Sequence, residues 1–262
     1  MSDYRTIIVR VEDNHADIRL NRPEVRNALN TFMVNEIKSA FDALEKDASI
    51  KTITISGSGK AFCSGADIGH MKNLRSNSFD ENLADSRNLA EMFSRIYHCP
   101  KPTVAVVDGP ALAGGCGLAS VCDFVLASEK AIFGYPEVKI GFVAAIVSGY
   151  LIRQIGERNA RDLMLTGRIV SAQDAKNMGL INIVCDCSSL KKESTDLVQK
   201  LQQNSAMAMK ISKEVLANFN GHKISEDLEN LAELNAHIRE TPEFKEGVNA
   251  FIEKRKPNWI KN

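Results

Sequence analysis

The sequence predicts an α/β fold with mostly parallel strands, followed by a helical C-terminal region. Three observations carry this. Strand-like and helix-like periodicities alternate through the first half of the chain, the pattern that builds parallel sheets from strand–helix–strand units. Two short, strongly apolar runs, Thr103 to Val107 and Asp123 to Ala127, read as buried strands rather than half-solvated ones. After about Ser148 the pattern turns helical, apart from one apolar run at Leu180 to Val184.

In order, Ile7, Val9 and Val11 alternate with polar residues, and the alternation resumes from Asp17 to Leu20 after a turn at Asp13-Asn14. Asn21-Arg22-Pro23 ends it. Asn30 is placed to cap a helix carrying Met33, Ile37, Phe41 and Leu44 at helical spacing. Lys51 to Ser56 is a short strand closed by Gly57-Ser58-Gly59. Leu83 to Tyr97 is a helix that Pro100 and Pro102 terminate. Leu118 to Cys122 reads as a buried helix. Ser171 caps a short helix that stops at Gly179, and later helices are expected from Leu190, Ala206, Ser225 and Pro242.

Composition narrows the function classes. Lys+Arg and Asp+Glu stand at 33 each, so no net field draws the chain to nucleic acid or an anionic membrane. No apolar run reaches membrane-spanning length, and Met1 to Arg10 is polar and strand-like rather than a secretion signal. The six cysteines, Cys63, Cys99, Cys116, Cys122, Cys185 and Cys187, are scattered, which fits free thiols in a reducing, cytoplasmic setting. Cys185-x-Cys187 lacks a second pair or a His cluster, so no metal site is expected.

Two glycine-rich loops follow β-like runs: Gly57 to Ile68, and Gly109 to Gly117. Neither fits a phosphate cradle. Gly59-Lys60 is followed by Ala61, and Phe62 stands where a dinucleotide fingerprint needs its third glycine. Small residues admit a ligand close to the backbone, and a loop entering a helix presents unpaired N–H groups. Two such loops side by side could aim two donors at one oxygen, the geometry of an oxyanion hole. Read alone, the glycines equally serve turns and close packing. The third feature is Glu137, a carboxylate in the apolar stretch Phe133 to Val138. Burial there would raise its pKa and suit it to proton transfer; read alone, it is equally a surface or paired carboxylate. His70, just after the first loop, reads as a solvated loop histidine, Cys116 as packing, and Asp123 as an acceptor for backbone donors near a strand end.

Taken together, these segments resemble the enoyl-CoA hydratase/isomerase (crotonase) family over almost the full chain. The resemblance runs through Asn21-Arg22-Pro23, Asn27-Ala28-Leu29, Ala61 to Ile68, Gly109 to Asp123, Phe133 to Gly141, Leu165-Thr166-Gly167, Ser171-Ala172-x-x-Ala175 and the tail Ala250 to Pro257. It implies a ββα spiral core over residues 1–190, holding the active site. A helical trimerisation region over 191–262 would follow. It implies an acyl-CoA thioester as substrate, coenzyme A being part of that substrate and no separate cofactor being needed. The backbone N–H groups of Ala66 and Gly114 would bind the thioester oxygen, and Glu137 would be the acid/base. Arg26, Ala28, Ser64, Ala66, Asp67, Ile68, Gly69, Gly114 and Gly117 would line the thioester and CoA site. Phe251 and Lys254 would reach the CoA of a neighbouring subunit in a trimer or dimer of trimers.

The sequence departs from the hydratase pattern at one position. Typical hydratases carry two glutamates; Glu137 matches the second, and Gly117 stands in place of the first. Reversible hydration of a 2-enoyl-CoA, with a branched substrate such as 3-methylglutaconyl-CoA in view, is the leading expectation. The alternatives are a 3,2-enoyl-CoA isomerase working with one glutamate, and a non-catalytic acyl-CoA binder. Family hydrolases and dienoyl isomerases place acidic residues where this chain has Ala145, which sets those activities lower.

Overall fold

The computed structural model describes residues 4–260; the side chains of residues 219–223, 225 and 226 lie outside the described set. The strands are β1 (Ile7–Glu12), β2 (His15–Leu20), β3 (Thr52–Gly57), β4 (Thr103–Val107), β5 (Pro110–Leu112), β6 (Phe124–Ser128), β7 (Ile132–Gly134), β8 (Ile169–Ser171) and β9 (Ile183–Cys185). The helices are α1 (Thr31–Lys46), α2 (Ile68–Leu74), α3 (Phe79–His98), α4 (Gly114–Ser120), α5 (Ala145–Thr166), α6 (Ala172–Asn177), α7 (Leu190–Gln202), α8 (Ala206–Glu240) and α9 (Pro242–Ile252). Short 3-10 turns lie at Pro23–Val25 and Pro136–Ile140.

Among the described residues, six strands form one sheet in the order β1-β2-β3-β4-β6-β9, antiparallel at β1/β2 and parallel elsewhere. A second, small sheet runs β5-β7-β8. Successive chain segments alternate between them. β4 of the large sheet leads through Gly109 into β5 of the small one and then α4; β6 leads into β7 and then α5. Two isolated parallel bridges extend this repeat toward the N-terminus. Cys63 pairs with Ala111, and Leu29 with Ala66, so β3 and β2 are likewise followed by a short paired segment before their helices. The turns of this spiral bury Val, Ile, Ala and Phe side chains in one continuous core.

The periodicities predicted most of these elements for identifiable reasons. Asn30 accepts a hydrogen bond from the Met33 amide and caps α1, and Met33, Ile37, Phe41 and Leu44 are its buried stripe. Asp123 accepts from the Thr103 amide at 2.7 Å, as expected of a carboxylate at a strand end. Two expectations need correction, and two sets of elements were not expected. α4 begins at Gly114 rather than near Leu118, through a glycine run of poor helix propensity that tertiary packing holds. No helix starts at Ser225; α8 runs unbroken from Ala206 to Glu240 against α3 and α5. The three-residue strands β5, β7 and β8 escaped notice because they are too short to show a period. α2 was also missed, although the Asp67 side chain caps it by accepting from Gly69 and His70 amides.

Candidate active site

The first loop is pinned by Asn27, which is fully buried. Its Nδ2 donates to Ser58 O and Ala61 O, both at 2.8 Å, while its Oδ1 accepts from the Arg22 amide. Arg26 and Asn27 both have positive φ, a cost of order 1–3 kcal/mol each that these bonds offset. Ser64 N then donates to Arg26 O, Leu29 N to Gly65 O and Asp67 N to Leu29 O. The second loop is laced to the first: Phe62 N and Cys63 N donate to Pro110 O, and Leu112 N donates to Cys63 O. The contact leaves no room for side chains. A Cβ on Gly65 would lie 2.7 Å from Ala113 Cβ, and one on Gly115 would overlap Cys63 O.

The amides of Ala66 and Gly114 are among those this lacing leaves unused. Among the described residues, neither Ala66 N nor Gly114 N donates a hydrogen bond within the protein. Gly114 is the first residue of α4, where the helix has no internal acceptor for its N–H. The residue before it, Ala113, sits at φ 53 and ψ −130, a strained conformation for a side-chain-bearing residue. Strain at this point, held by the Ala113 N to Gly134 O bond, fixes how the start of α4 is aimed.

Glu137 lies in the Pro136–Ile140 turn, which Gly141 closes in the left-handed conformation. α9 clamps this turn so closely that a Cβ on Gly247 would overlap Ile140 O, and one on Gly141 would meet Glu243 backbone closer than 3.0 Å. The Glu137 side chain is 9% exposed, and its Oε2 is buried without a hydrogen-bond partner. Burial pushes its pKa up to about 7, because desolvation disfavours the carboxylate and no cation compensates. The surface or ion-paired reading of Glu137 is therefore set aside.

Ala66, Gly114 and Glu137 line one cavity of about 870 Å³. Arg26, Ala28, Ser64, Asp67, Ile68, Gly69 and Phe251 line it too. One residue placed there from the sequence lies elsewhere. Gly117 is buried behind the cavity wall: a Cβ on it would fall closer than 3.0 Å to Val147 Cγ1 and 3.3 Å from Phe93 Cζ. The space a first glutamate would use is filled by those two side chains, both of which line the cavity. Lys254, expected at the CoA of a neighbouring subunit, is exposed with φ 54 and does not line this chain's own cavity. Phe251 lines this chain's own cavity.

A polar cluster that also lines the cavity is not visible in the sequence patterns. His70 is not a solvated loop residue: it lies in α2, and its Nε2 is 2.9 Å from Asp85 Oδ1, with side-chain exposures of 20% and 17%. Asp85 Oδ2 also accepts from Arg239 Nη1 at 2.8 Å, and Arg239 is 3% exposed. Burial opposes the Asp85 charge, but His70 and Arg239 outweigh it and hold the carboxyl below its ordinary range. Arg239 and Asp85 stand 154 positions apart, so no local pattern could have joined them. Asp67, whose charge burial also opposes, is held below the ordinary range by Arg22 at 2.8 Å and the His70 and Gly69 amides.

Two glycine-laced loops presenting unused amides lie beside a buried carboxylic acid in a spiral α/β core of the crotonase type. The chain belongs to the enoyl-CoA hydratase/isomerase family, whose match spans residues 10–262. A Thermus thermophilus relative is 42% identical, over 96% of this chain and 100% of its own. The mitochondrial enoyl-CoA hydratase of Pongo abelii is 35% identical over 92% of this chain and 82% of its own. An enoyl-CoA hydratase/isomerase structure from Xanthobacter autotrophicus Py2 superimposes with TM-score 0.88 at 33% identity, covering 96% of this chain and 97% of that one. Among the described residues, no helix is long and apolar enough to cross a membrane.

Proposed function

We propose that the protein is a 2-enoyl-CoA hydratase in which Glu137 is the carboxylic acid/base and the Ala66 and Gly114 amides form the oxyanion hole. One observation carries the reading: a buried carboxyl whose Oε2 has no partner among the described residues lines the same cavity as Ala66 and Gly114, whose amides are unused there. When water adds to the β-carbon, the double-bond electrons move onto the thioester oxygen. Preorganised donors there are worth about 3–4 kcal/mol each in comparable sites. A carboxyl pushed up to about 7 keeps much of its proton at neutral pH and can deliver it to the α-carbon. Arg26, Ala28, Ser64 and the Asp67 to Gly69 segment would hold the CoA portion, with no further cofactor. Exposed Met207, Ile211, Val215 and Leu216 on α8 support a homotrimer or dimer of trimers built on the helical region. The free thiols support a cytoplasmic setting.

Crotonyl-CoA should lose its conjugated absorbance on mixing with the enzyme, and branched thioesters such as 3-methylglutaconyl-CoA belong in the same panel. A second reading, 3,2-enoyl-CoA isomerisation, is favoured by the filled space at Gly117: one base that takes up and returns a proton suffices for it. A 3-enoyl-CoA would then gain absorbance while crotonyl-CoA stays unchanged. Binding of thioesters with neither change would leave a non-catalytic acyl-CoA binder.

A further inference from the structure

Hydration needs two proton positions, one at the attacking water and one at the α-carbon, and Glu137 is a single carboxyl. The usual place for a second carboxylate is closed by Val147 and Phe93. Other titratable groups lining the cavity are largely committed. Asp67 caps α2 and pairs with Arg22, while Asp85 and Arg239 pair with each other. Glu24, Arg26 and Lys139 are exposed. His70 remains.

Resting on the hydratase reading, we propose that His70, oriented by Asp85, is the second proton-transfer residue of this site. Asp85 is kept charged by buried Arg239, so it takes the N–H of His70 Nε2 at 2.9 Å. In the neutral imidazole with that N–H, Nδ1 is the acceptor nitrogen. The cluster is tied to the Glu137 turn: Arg239 lies 5.7 Å from the centre of the Phe142 ring, and Phe142 N donates to Glu137 O at 3.0 Å. In the addition step, Nδ1 takes a proton from water as its oxygen bonds the β-carbon. The double-bond pair moves onto the thioester oxygen, and the Glu137 carboxyl proton then passes to the α-carbon. The imidazolium returns its proton to the Glu137 carboxylate through solvent, so one water is added and both groups are restored.

The test separates the two proton positions in the full-length enzyme. Crotonyl-CoA hydration is compared with exchange of the α-protons of butyryl-CoA in heavy water, which needs only the oxyanion hole and Glu137. His70→Gln should lower hydration by a factor on the order of 10²–10⁴ and leave α-proton exchange unchanged. His70→Ala should behave alike and regain hydration when imidazole is added. Retained hydration in both variants overturns the proposal. So does a parallel fall in hydration and exchange, or a loss that imidazole does not restore, since those mark a structural role. If the unmodified enzyme exchanges α-protons but hydrates nothing, the hydratase reading itself has failed, and the inference with it.

Discussion

Glu137 is costly to the fold in the form that leaves its carboxyl ionised. Its folded pKa, about 7, lies above the ordinary value of 4.5. The stability of the neutral buried carboxyl is therefore full below pH 4.5 and is lost as pH rises through 7. The difference amounts to roughly 3 kcal/mol. Glu137→Gln should accordingly unfold at higher denaturant concentration than the unmodified protein at pH 8 and at nearly the same concentration at pH 4.5. It should also abolish turnover while CoA thioesters still bind. Turnover at the unmodified rate would remove Glu137 from its role. At Gly117 the sequence alone suggests that replacing it with glutamate would restore a missing carboxylate. The packing says otherwise: Gly117→Glu drives a side chain into Val147 and Phe93. It should destabilise by about 1–3 kcal/mol without raising hydration. Adding Val147→Ala should recover part of that loss, and a single Gly117→Glu variant as stable as the parent would show that the wall yields.

At the scale of elements, the site depends on how closely the two loops approach. Gly115→Ala would push its Cβ into Cys63 O and separate the segment before α4 from the first loop. Displacing one oxyanion donor should lower kcat by about 10²–10³, along with a lower melting temperature. Gly114→Ala, whose Cβ would meet only Leu29 Cδ1 at 3.4 Å, should fold nearly normally. Equal melting temperatures for the two variants would contradict this account of the lacing. The α3–α8 contact holds the other wall. Arg239→Met would leave the Asp85 carboxylate buried with only His70, and should destabilise by about 3–5 kcal/mol. Pairing it with Asp85→Asn should return much of that stability, as urea unfolding of the two variants would reveal.

At the scale of the molecule, the cavity joins the two ends of the chain. The two glycine loops and Glu137 come from the spiral, whereas Asn235, Arg239, Phe244 and Phe251 come from α8 and α9. Ile224 and Leu228 of α8 belong to the main core. Phe244 and Val248 form a separate small cluster with Met71 and Leu74 of α2, partly covered by Ile140 and Phe142. A wall made of its own small cluster opens more readily than the main core, which suits a site that admits a large thioester. A chain ending at Asn204 should therefore lose thioester binding. A saturated acyl-CoA at 100 times its Kd should stabilise the full chain by about 2.7 kcal/mol and leave the shortened one unmoved. Stabilisation of both would show that α8 and α9 are not part of the binding wall.

The local patterns of the chain determined a good deal. Alternating residues marked β1 and β2, an apolar stripe behind the Asn30 cap marked α1, and short β-prone runs marked β3 and β4. The order of the glycine loops, the Glu137 segment and the tail fixed the family. The sequence also offered Glu137 as an isolated acid in an apolar run, and the family resemblance of the two loops pointed to Ala66 and Gly114. It did not decide whether Glu137 is buried and unpaired, what fills the space beside Gly117, or that His70, Asp85 and Arg239 form one cluster. Those are contacts between residues tens to more than a hundred positions apart. Only the way the spiral and the C-terminal helices pack against each other brings such residues together.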